Sequence, residues 1–272
     1  MSRPFPDVSE RSLADLLSLH GRRAVVTGGA QGLGKAIALR LAQAGADVAI
    51  ADLDAERASA AAADVATRST SDSLGIRMDV ADSASVTDGA ARVVDAFGGI
   101  DIWVNNAGVF PSASVIEMSD ELWDHVFAVN TRGVRNGARE AGRRMTGGGV
   151  IVNVVSTAGF RGTAPGLAAY VGSKHAVRGM TKQLALELAP RGIRVLGVAP
   201  TYVPTEGNLA AVAAAMAEGG LDSSAMPSAM STSLIGRLGT PDDIARVVLF
   251  CASDLSMIMT GSTLLADAGE TI

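Results

Sequence analysis

The sequence contains few of the residues that form disulfides and metal sites. It has one cysteine, Cys251, and three histidines among its 272 residues. A single cysteine cannot form an internal disulfide, which favours a reducing compartment, and we expect Cys251 to be buried in a helix. The histidines lack the spacing of zinc ligands; they are His20, His125 and His175. The sequence therefore predicts no metal site.

The chain also lacks an excess of basic residues and any long apolar run. Its net charge is −5, whereas a protein that binds nucleic acid needs a basic patch for the phosphates. No apolar run approaches the roughly 20 residues that span a membrane, and the first residues do not have the basic and apolar segments of a signal peptide. We expect no nucleic-acid partner, no membrane association and a cytoplasmic location.

Aromatic residues are scarce, at 4% of the chain, although hydrophobic residues as a group reach 48%. Many of these are alanine and valine, which suits a parallel sheet covered by helices on both faces. Strand-like and helix-like segments alternate without a linker or repeat, as in doubly wound sheets. We predict an α/β fold: a single Rossmann-type doubly wound domain over residues 21–272, with a parallel seven-stranded sheet flanked by helices, after an extension at 1–20.

Apolar periodicity and capping residues predict the individual elements. Strands are expected at residues 24–27, 47–52, 75–80, 100–104, 150–155, 193–198 and 263–266. Helices are expected at 35–44, 54–67, 83–97 and 168–188, with a long one capped by Ser119 and another beginning at Thr240 and Pro241. A short amphipathic helix around Leu13 would precede the first strand. Trp103 and Trp123 are interpreted as core residues.

Three glycines follow the first predicted strand in the pattern G-x-x-x-G-x-G, at Gly28, Gly32 and Gly34. A helix follows them, and the next strand ends on Asp52. Glycines at the start of a helix let a pyrophosphate approach backbone N–H groups, and an acid roughly 20 residues later can bind a ribose hydroxyl. Glycines alone often mark only a turn, but this order of strand, glycines, helix, strand and acid predicts a dinucleotide site.

Asp52 also predicts which dinucleotide is preferred. Its carboxylate would accept hydrogen bonds from the adenosine ribose and repel a 2′-phosphate. No basic residue offsets this charge, since position 31 is Gln31 and position 53 is Leu53. The sequence therefore predicts NAD rather than NADP.

Tyr170 and Lys174 stand at positions i and i+4 of a predicted helix, and hence on one face of it. A free tyrosine has a pKa near 10 and is a poor base at neutral pH. An ammonium at about 4 Å would supply roughly the 4 kcal/mol that lowers this pKa by ~3 units. We therefore expect Lys174 to depress the pKa of Tyr170, which would act as an acid and base on a hydroxyl or carbonyl oxygen.

Taken together, these motifs resemble those of the classical short-chain dehydrogenase/reductase family. The resemblance is carried by Thr27-Gly28-x-x-x-Gly32-x-Gly34, Asn105-Asn106-Ala107-Gly108, Ser156, Tyr170-x-x-x-Lys174 and Pro200, and it spans nearly the whole chain. It implies that Tyr170 is the general acid/base, that Lys174 lowers its pKa and holds the nicotinamide ribose, and that Ser156 polarises the substrate oxygen. Asn130 would complete a water-linked proton path to Lys174.

The resemblance also implies a set of cofactor contacts and an assembly. Asn106 and Gly108 would line the adenosine side, Asp79 and Val80 would hold the adenine, and Val203 and Thr205 would receive the carboxamide. The full set expected to bind NAD is Gly28, Gln31, Gly32, Leu33, Gly34, Asp52, Leu53, Asp79, Val80, Asn106, Ala107, Gly108, Tyr170, Lys174, Val203 and Thr205. Members of the family are commonly homotetramers joined through the helices after strands four and five.

The chain departs from the family pattern near the substrate side. Thr201 follows Pro200 where a glycine is usual, and Gly197 stands where an asparagine is frequent. The catalytic hydroxyl is ambiguous as well, because Thr157 has the usual spacing of thirteen residues before Tyr170 whereas Ser156 lies fourteen before it. Ser156 fits the Ser-x-x-Gly pattern and is less stiff than a β-branched threonine. We therefore assign the role to Ser156.

The substrate is expected to be a small secondary alcohol or ketone, oxidised or reduced with NAD. One alternative is a reductase of acyl-carrier-bound 3-oxo thioesters, although residues 201–234 contain no Lys or Arg to favour an acidic carrier. A second, from another class, is a non-catalytic dinucleotide-binding sensor or scaffold. Residues 201–239 break the alternation of strands and helices and are expected to form a substrate lid; Leu209, Met216, Met226 and Met230 suggest an apolar pocket there.

Overall fold

The computed structural model describes residues 5–207, 209 and 233–272. Its centre is a seven-stranded sheet in the order β3-β2-β1-β4-β5-β6-β7, in which all neighbouring strands are parallel. The strands are β1 (Arg23–Thr27), β2 (Asp47–Asp52), β3 (Ser73–Arg77), β4 (Ile102–Asn105), β5 (Gly149–Val154), β6 (Ile193–Pro200) and β7 (Thr263–Ala266). The predicted fold, a doubly wound parallel sheet of Rossmann type, is confirmed.

Helices cover both faces of this sheet. They are α1 (Leu13–Leu17), α2 (Gly32–Gln43), α3 (Ala55–Thr67), α4 (Ser83–Phe97), α5 (Asp120–Phe127), α6 (Gly133–Arg144), α7 (Ala168–Leu188) and α8 (Pro241–Ala252). One apolar layer packs α2, α3 and α8 against the sheet, and the other packs α4, α6 and the end of α7. Burying each large aliphatic side chain of these layers contributes about 1.5–3 kcal/mol.

The capping residues in the sequence predicted several helix boundaries correctly. The Asp54 side chain accepts from two backbone N–H groups at the start of α3, and Ser119 caps α5. Thr240 and Asp243 form a reciprocal capping box at the start of α8. The bounds of α4, α7 and β7 are those predicted.

Several elements begin or end one to three residues from their predicted bounds, and the long predicted helix is divided. The third strand, expected at 75–80, is Ser73–Arg77, because the Asp79 carboxylate accepts from the N–H of Ala81 and turns the backbone out of the ladder. The fourth, expected at 100–104, is Ile102–Asn105. The long helix after Ser119 is interrupted by a π-helical segment, Ala128–Arg132, so that α5 and α6 are separate helices.

The two tryptophans have different environments. Trp103 is fully buried, as expected, and its indole N–H donates to Asn105 Oδ1 at 2.8 Å. Asn105 in turn donates to Asn153 on the next strand, which donates to the Thr181 hydroxyl of α7. This buried polar chain ties β4, β5 and α7 together beneath the ends of the strands. Trp123 is 41% exposed and stacks on Phe127, so the prediction that it lies in the core is wrong.

Cys251 is buried in α8, where burial raises the pKa of its thiol to about 12. Within the part of the chain that the structure describes, no helix is both long enough and apolar enough to cross a membrane.

Candidate active site

The glycine-rich loop between β1 and α2 is closely packed. α2 begins at Gly32, three residues earlier than expected. Gly28 and Gly32 have φ values of +62° and +56°, in the left-handed region that glycine favours. A Cβ on Gly34 would lie 2.1 Å from the carbonyl oxygen of Gly28. Gln31, at the N-cap, makes no side-chain capping bond. The loop therefore fits a phosphate group that approaches the first N–H groups of α2.

Asn106 joins this loop to the end of β4. Its side-chain Nδ2 donates at 2.9 Å to the carbonyls of both Thr27 and Gly28. The Thr27 hydroxyl accepts from the backbone N–H groups of Asn106 and Ala107 and donates to the carbonyl of Val104. Thr27 was not predicted to belong to the site, although its place directly before the glycines marks it.

The predicted adenosine contacts lie around the ends of β2 and β3. One oxygen of Asp52 accepts from the N–H of Ala30 at 3.1 Å, which places the acid beside the glycine loop. Leu53 is 60% exposed. Val80 is buried, and its carbonyl accepts from the Asn136 side chain of α6. These residues form one side of a cleft at the carboxyl ends of the strands, where ligands of such sheets bind.

Ser156 and Tyr170 meet through their hydroxyl groups. The Ser156 hydroxyl lies close enough to the Tyr170 phenol to lower its pKa, and it accepts a hydrogen bond from the N–H of Ala158. Ser156 is partly exposed, whereas Thr157 is buried with 4% of its surface accessible. Of the two candidate hydroxyls, the one paired with Tyr170 is that of Ser156.

Lys174 lies one turn further along α7, as its spacing predicts. Its Nζ donates to the carbonyl oxygen of Val154 at 2.9 Å and lies 5.7 Å from the centre of the Tyr170 ring. Burial lowers the pKa of Lys174 to about 8. Burial also raises the pKa of Tyr170, against a smaller lowering by the nearby Ser156 hydroxyl. The expected depression of the Tyr170 pKa by Lys174 is thus not found, because desolvation outweighs every favourable contact of the phenol in this structure.

Asn130 fixes the loop after β4. Its Oδ1 accepts from the N–H of Val109 and its Nδ2 donates to the carbonyl of the same residue, both at 2.8 Å. The Nδ2 also donates to the Ser173 hydroxyl, which donates to the carbonyl of Tyr170. A Cβ on Gly108 would lie 3.3 Å from Asn130 Oδ1 and 3.8 Å from Lys174 Nζ. Asn130 and Lys174 therefore both lie next to Gly108, and no direct hydrogen bond joins them.

Other substrate-side residues were predicted only in part. Phe110, which was missed, is 44% exposed and meets the Tyr170 ring edge-to-face at 6.1 Å. Val203 and Thr205 are buried, and a Cβ on Gly32 would lie 3.3 Å from Thr205 Cβ, so the predicted carboxamide segment adjoins the glycine loop. Leu209 is 47% exposed; Met216, Met226 and Met230, the other residues of the predicted apolar pocket, lie outside the described residues.

Thr201 and Gly197, the two residues that depart from the family pattern, each lie against a nearby residue. The Thr201 hydroxyl donates to the Glu270 carboxylate. A Cβ on Gly197 would lie 2.6 Å from Thr263 Oγ1 on β7, so the close approach of that strand favours glycine here.

Comparisons with known proteins agree with this geometry. Residues 28–271 match the family model described as enoyl-(acyl carrier protein) reductase. The chain is 40% identical to the D-threitol dehydrogenase of Mycolicibacterium smegmatis, over 93% of this chain and 94% of that protein. It is 36% identical to a 3-oxoacyl-[acyl-carrier-protein] reductase of Thermotoga maritima, over 94% and 100%.

Solved structures of short-chain dehydrogenases have the same fold as this chain. A short-chain type dehydrogenase/reductase from Mycobacterium marinum superposes with a TM-score of 0.87 at 34% identity, over 96% of this chain and 99% of that one. A short-chain dehydrogenase from Burkholderia cenocepacia, solved in complex with NADP, gives 0.84 at 36% identity, over 93% and 99%. The chain belongs to the classical short-chain dehydrogenase/reductase family of oxidoreductases, which bind a nicotinamide dinucleotide.

Proposed function

We propose that this protein is an NAD-dependent oxidoreductase that interconverts a secondary alcohol and a ketone. The observation that carries the proposal is the approach of the Ser156 hydroxyl to the Tyr170 phenol, with Lys174 one helical turn away. Both hydroxyls lie at the edge of the cleft that the glycine-rich loop enters from the other side. A carbonyl oxygen placed between them would receive a hydrogen bond from Ser156 and a proton from Tyr170.

The dinucleotide supplies the hydride at its nicotinamide ring, and the protein positions it. The glycine loop would hold the pyrophosphate, Asp52 the adenosine ribose, and Val203 and Thr205 the carboxamide. Tyr170 would release its proton to the ketone oxygen in reduction and accept it from the alcohol in oxidation. Lys174, whose pKa is about 8, keeps its positive charge at neutral pH and would hold the nicotinamide ribose.

The preference for NAD rests on the surroundings of Asp52. Its carboxylate lies beside the glycine loop, where it would repel a 2′-phosphate. The neighbouring positions carry Gln31 and the exposed Leu53, and neither supplies a positive charge. The Burkholderia relative was solved with NADP, so the choice of dinucleotide is a property to measure on this chain.

The test is to incubate the protein with NADH and a panel of ketones, and with NAD and a panel of secondary alcohols, polyols and steroids, while nicotinamide fluorescence is followed. We expect turnover of at least one pair, and we expect Tyr170→Phe to abolish it while NADH still binds. Tight NADH binding without turnover of any compound would instead favour the sensor or scaffold.

A second candidate is the reduction of 3-oxoacyl thioesters, which the family model and the Thermotoga relative favour. Residues 201–234 carry no Lys or Arg, which leaves this segment without a basic surface for an acidic carrier. Acetoacetyl thioesters of coenzyme A and of an acyl carrier protein, compared with simple ketones, separate the two candidates. A kcat/KM for the carrier thioester well above every simple ketone would favour this second function.

We also propose that the protein is a cytoplasmic homotetramer without nucleic-acid or membrane partners. Support comes from α5 and α7, which lie side by side and leave Trp123 41% exposed over Phe127. α5, the π-helical segment and α6 follow one another along the chain. Acidic residues lie near the start of this run, at Asp120, Glu121 and Asp124, and basic residues near its end, at Arg135, Arg139 and Arg143. Two copies packed antiparallel would therefore pair opposite charges. Sedimentation equilibrium tests this, and a monomer would contradict it.

A further inference from the structure

The turn that follows β7 is built by one carboxylate. Asp267, of which 8% is exposed, accepts from the N–H of Gly269 at 3.1 Å and from the N–H and hydroxyl of Thr271 at 3.0 and 2.6 Å. Ala268 adopts φ +55°, in the left-handed region that alanine rarely occupies. Three hydrogen bonds to one side chain hold this conformation and direct Glu270 away from the turn.

Glu270 bridges two loops at the carboxyl ends of β5 and β6. One of its oxygens is paired with the Arg161 guanidinium, and the other accepts from the Thr201 hydroxyl. The Glu270 side chain is only 16% exposed, whereas that of Arg161 is 44% exposed. A carboxylate shielded in this way interacts more strongly with its cation than one on an open surface.

Arg161 belongs to the loop that begins with the proposed oxygen-binding residue. Its backbone N–H donates to the carbonyl of Thr157, directly after Ser156. It is the only Lys or Arg between Ser156 and Tyr170 in the sequence, and residues 107–119 contain none. The positive charge of Arg161 is therefore the charge in this loop that could attract an anionic substrate, and Glu270 neutralises it.

We propose that Glu270 is a specificity-determining residue that neutralises Arg161 and so makes the substrate side of the cleft selective for uncharged carbonyl compounds. The proposal rests on the proposed alcohol–ketone chemistry, and it names the class of substrate. Without the carboxylate, the half-exposed guanidinium would attract a carboxylate group carried by a ketone. If Glu270 had a purely structural role, its replacement would instead change kcat/KM for charged and for uncharged ketones by the same factor.

The test uses 2-hexanone and 5-oxohexanoate, which differ by a terminal methyl or carboxylate group. We expect Glu270→Gln to raise the ratio of kcat/KM for 5-oxohexanoate to kcat/KM for 2-hexanone about tenfold, which corresponds to about 1.4 kcal/mol. The double variant Arg161→Met/Glu270→Gln should return the ratio to near the wild-type value. A matched control is Asp242→Asn, which removes an acid that also bridges two cations, Arg40 and Arg246, and should leave the ratio unchanged.

Any of three results would overturn the assignment. Glu270→Gln could leave the ratio unchanged, the double variant could raise the ratio as much as Glu270→Gln does, or Glu270→Gln could fail to turn over 5-oxohexanoate. These outcomes are separate from a failure of the proposed function, in which the wild type would reduce no ketone of the panel. Thermal unfolding of each variant checks that the fold is intact. If Glu270→Gln unfolds, Arg161→Met alone, which leaves the Glu270 carboxylate without its cation, should lower the ratio below the wild-type value, and an unchanged ratio would overturn the assignment.

Discussion

Lys174 Nζ donates a hydrogen bond of 2.9 Å to the carbonyl oxygen of Val154, the last residue of β5. An ammonium is thereby held in the interior by a neutral backbone acceptor. Burial lowers the pKa of Lys174 from 10.5 to about 8, so the charged form is destabilised in the folded protein. A residue to which the proposed function assigns a role in the site therefore reduces the stability of the fold.

Lys174→Met should consequently stabilise the protein while abolishing turnover. Below pH 8 the lysine is protonated in both the folded and unfolded states, and the folded state bears the full cost of the buried charge. From about pH 8 to 10.5 the unfolded state binds more protons, so the stability of the wild type rises with pH through that window. After allowance for the lost hydrogen bond, we expect the variant to be more stable by about 2 kcal/mol at pH 7.

Urea unfolding of wild type and variant at pH 7 and at pH 10 measures this difference. It should shrink at the higher pH, where the wild-type lysine loses its proton. A variant that is less stable than wild type at pH 7 would show that the ammonium contributes net stability, contrary to this prediction.

Ser156→Ala should lower kcat by about 10²–10³, the usual effect of losing a donor to a developing oxyanion. The nearby Ser156 hydroxyl lowers the pKa of Tyr170, so its loss should also move the pH profile of alcohol oxidation to higher pH. Thr157→Val, the matched control on the adjacent residue, should keep kcat near the wild-type value. If Thr157→Val lowers kcat more than Ser156→Ala does, the catalytic hydroxyl is that of Thr157.

Replacing Asp52 by Ser together with Leu53 by Arg should shift the cofactor preference from NAD towards NADP. The double change removes the carboxylate that would repel a 2′-phosphate and adds a guanidinium that can pair with it. Steady-state kcat/KM with each cofactor, before and after the change, measures the shift. A wild type that uses both cofactors equally well, or prefers NADP, would contradict the role given to Asp52.

Gly34→Ala should weaken NADH binding at least tenfold and lower the stability of the protein. The added Cβ would lie 2.1 Å from the Gly28 carbonyl and 2.6 Å from Asn106 Nδ2, so the backbone of the loop would have to move. Gly179→Ala, in the exposed part of α7 where a Cβ meets no atom within 4 Å, should instead stabilise the protein by about 0.5–1 kcal/mol. Fluorescence titration with NADH and urea unfolding compare the pair, and unchanged NADH affinity in Gly34→Ala would refute the close packing.

Sequence patterns predicted those features that depend on neighbouring residues. The bounds of α4 and α7 follow from local periodicity, and the helical spacing of Tyr170 and Lys174 places both on one face. The direction of the Lys174 ammonium was not predictable in the same way, because its acceptor, Val154, lies 20 residues earlier on another element. The bridge from Glu270 to Arg161 spans 109 residues, and no local pattern indicates that these two side chains meet.

The π-helical segment at Ala128–Arg132 has a consequence for the orientation of the two helices that it joins. One surplus residue in a helix advances the angular phase of all later side chains by roughly 100°. α5 can therefore turn Trp123 and Phe127 towards Gly172 of α7, while α6 turns Asn136 towards the adenosine side of the cleft. Deleting one residue from this segment would restore a regular pitch and rotate one of these two faces out of contact.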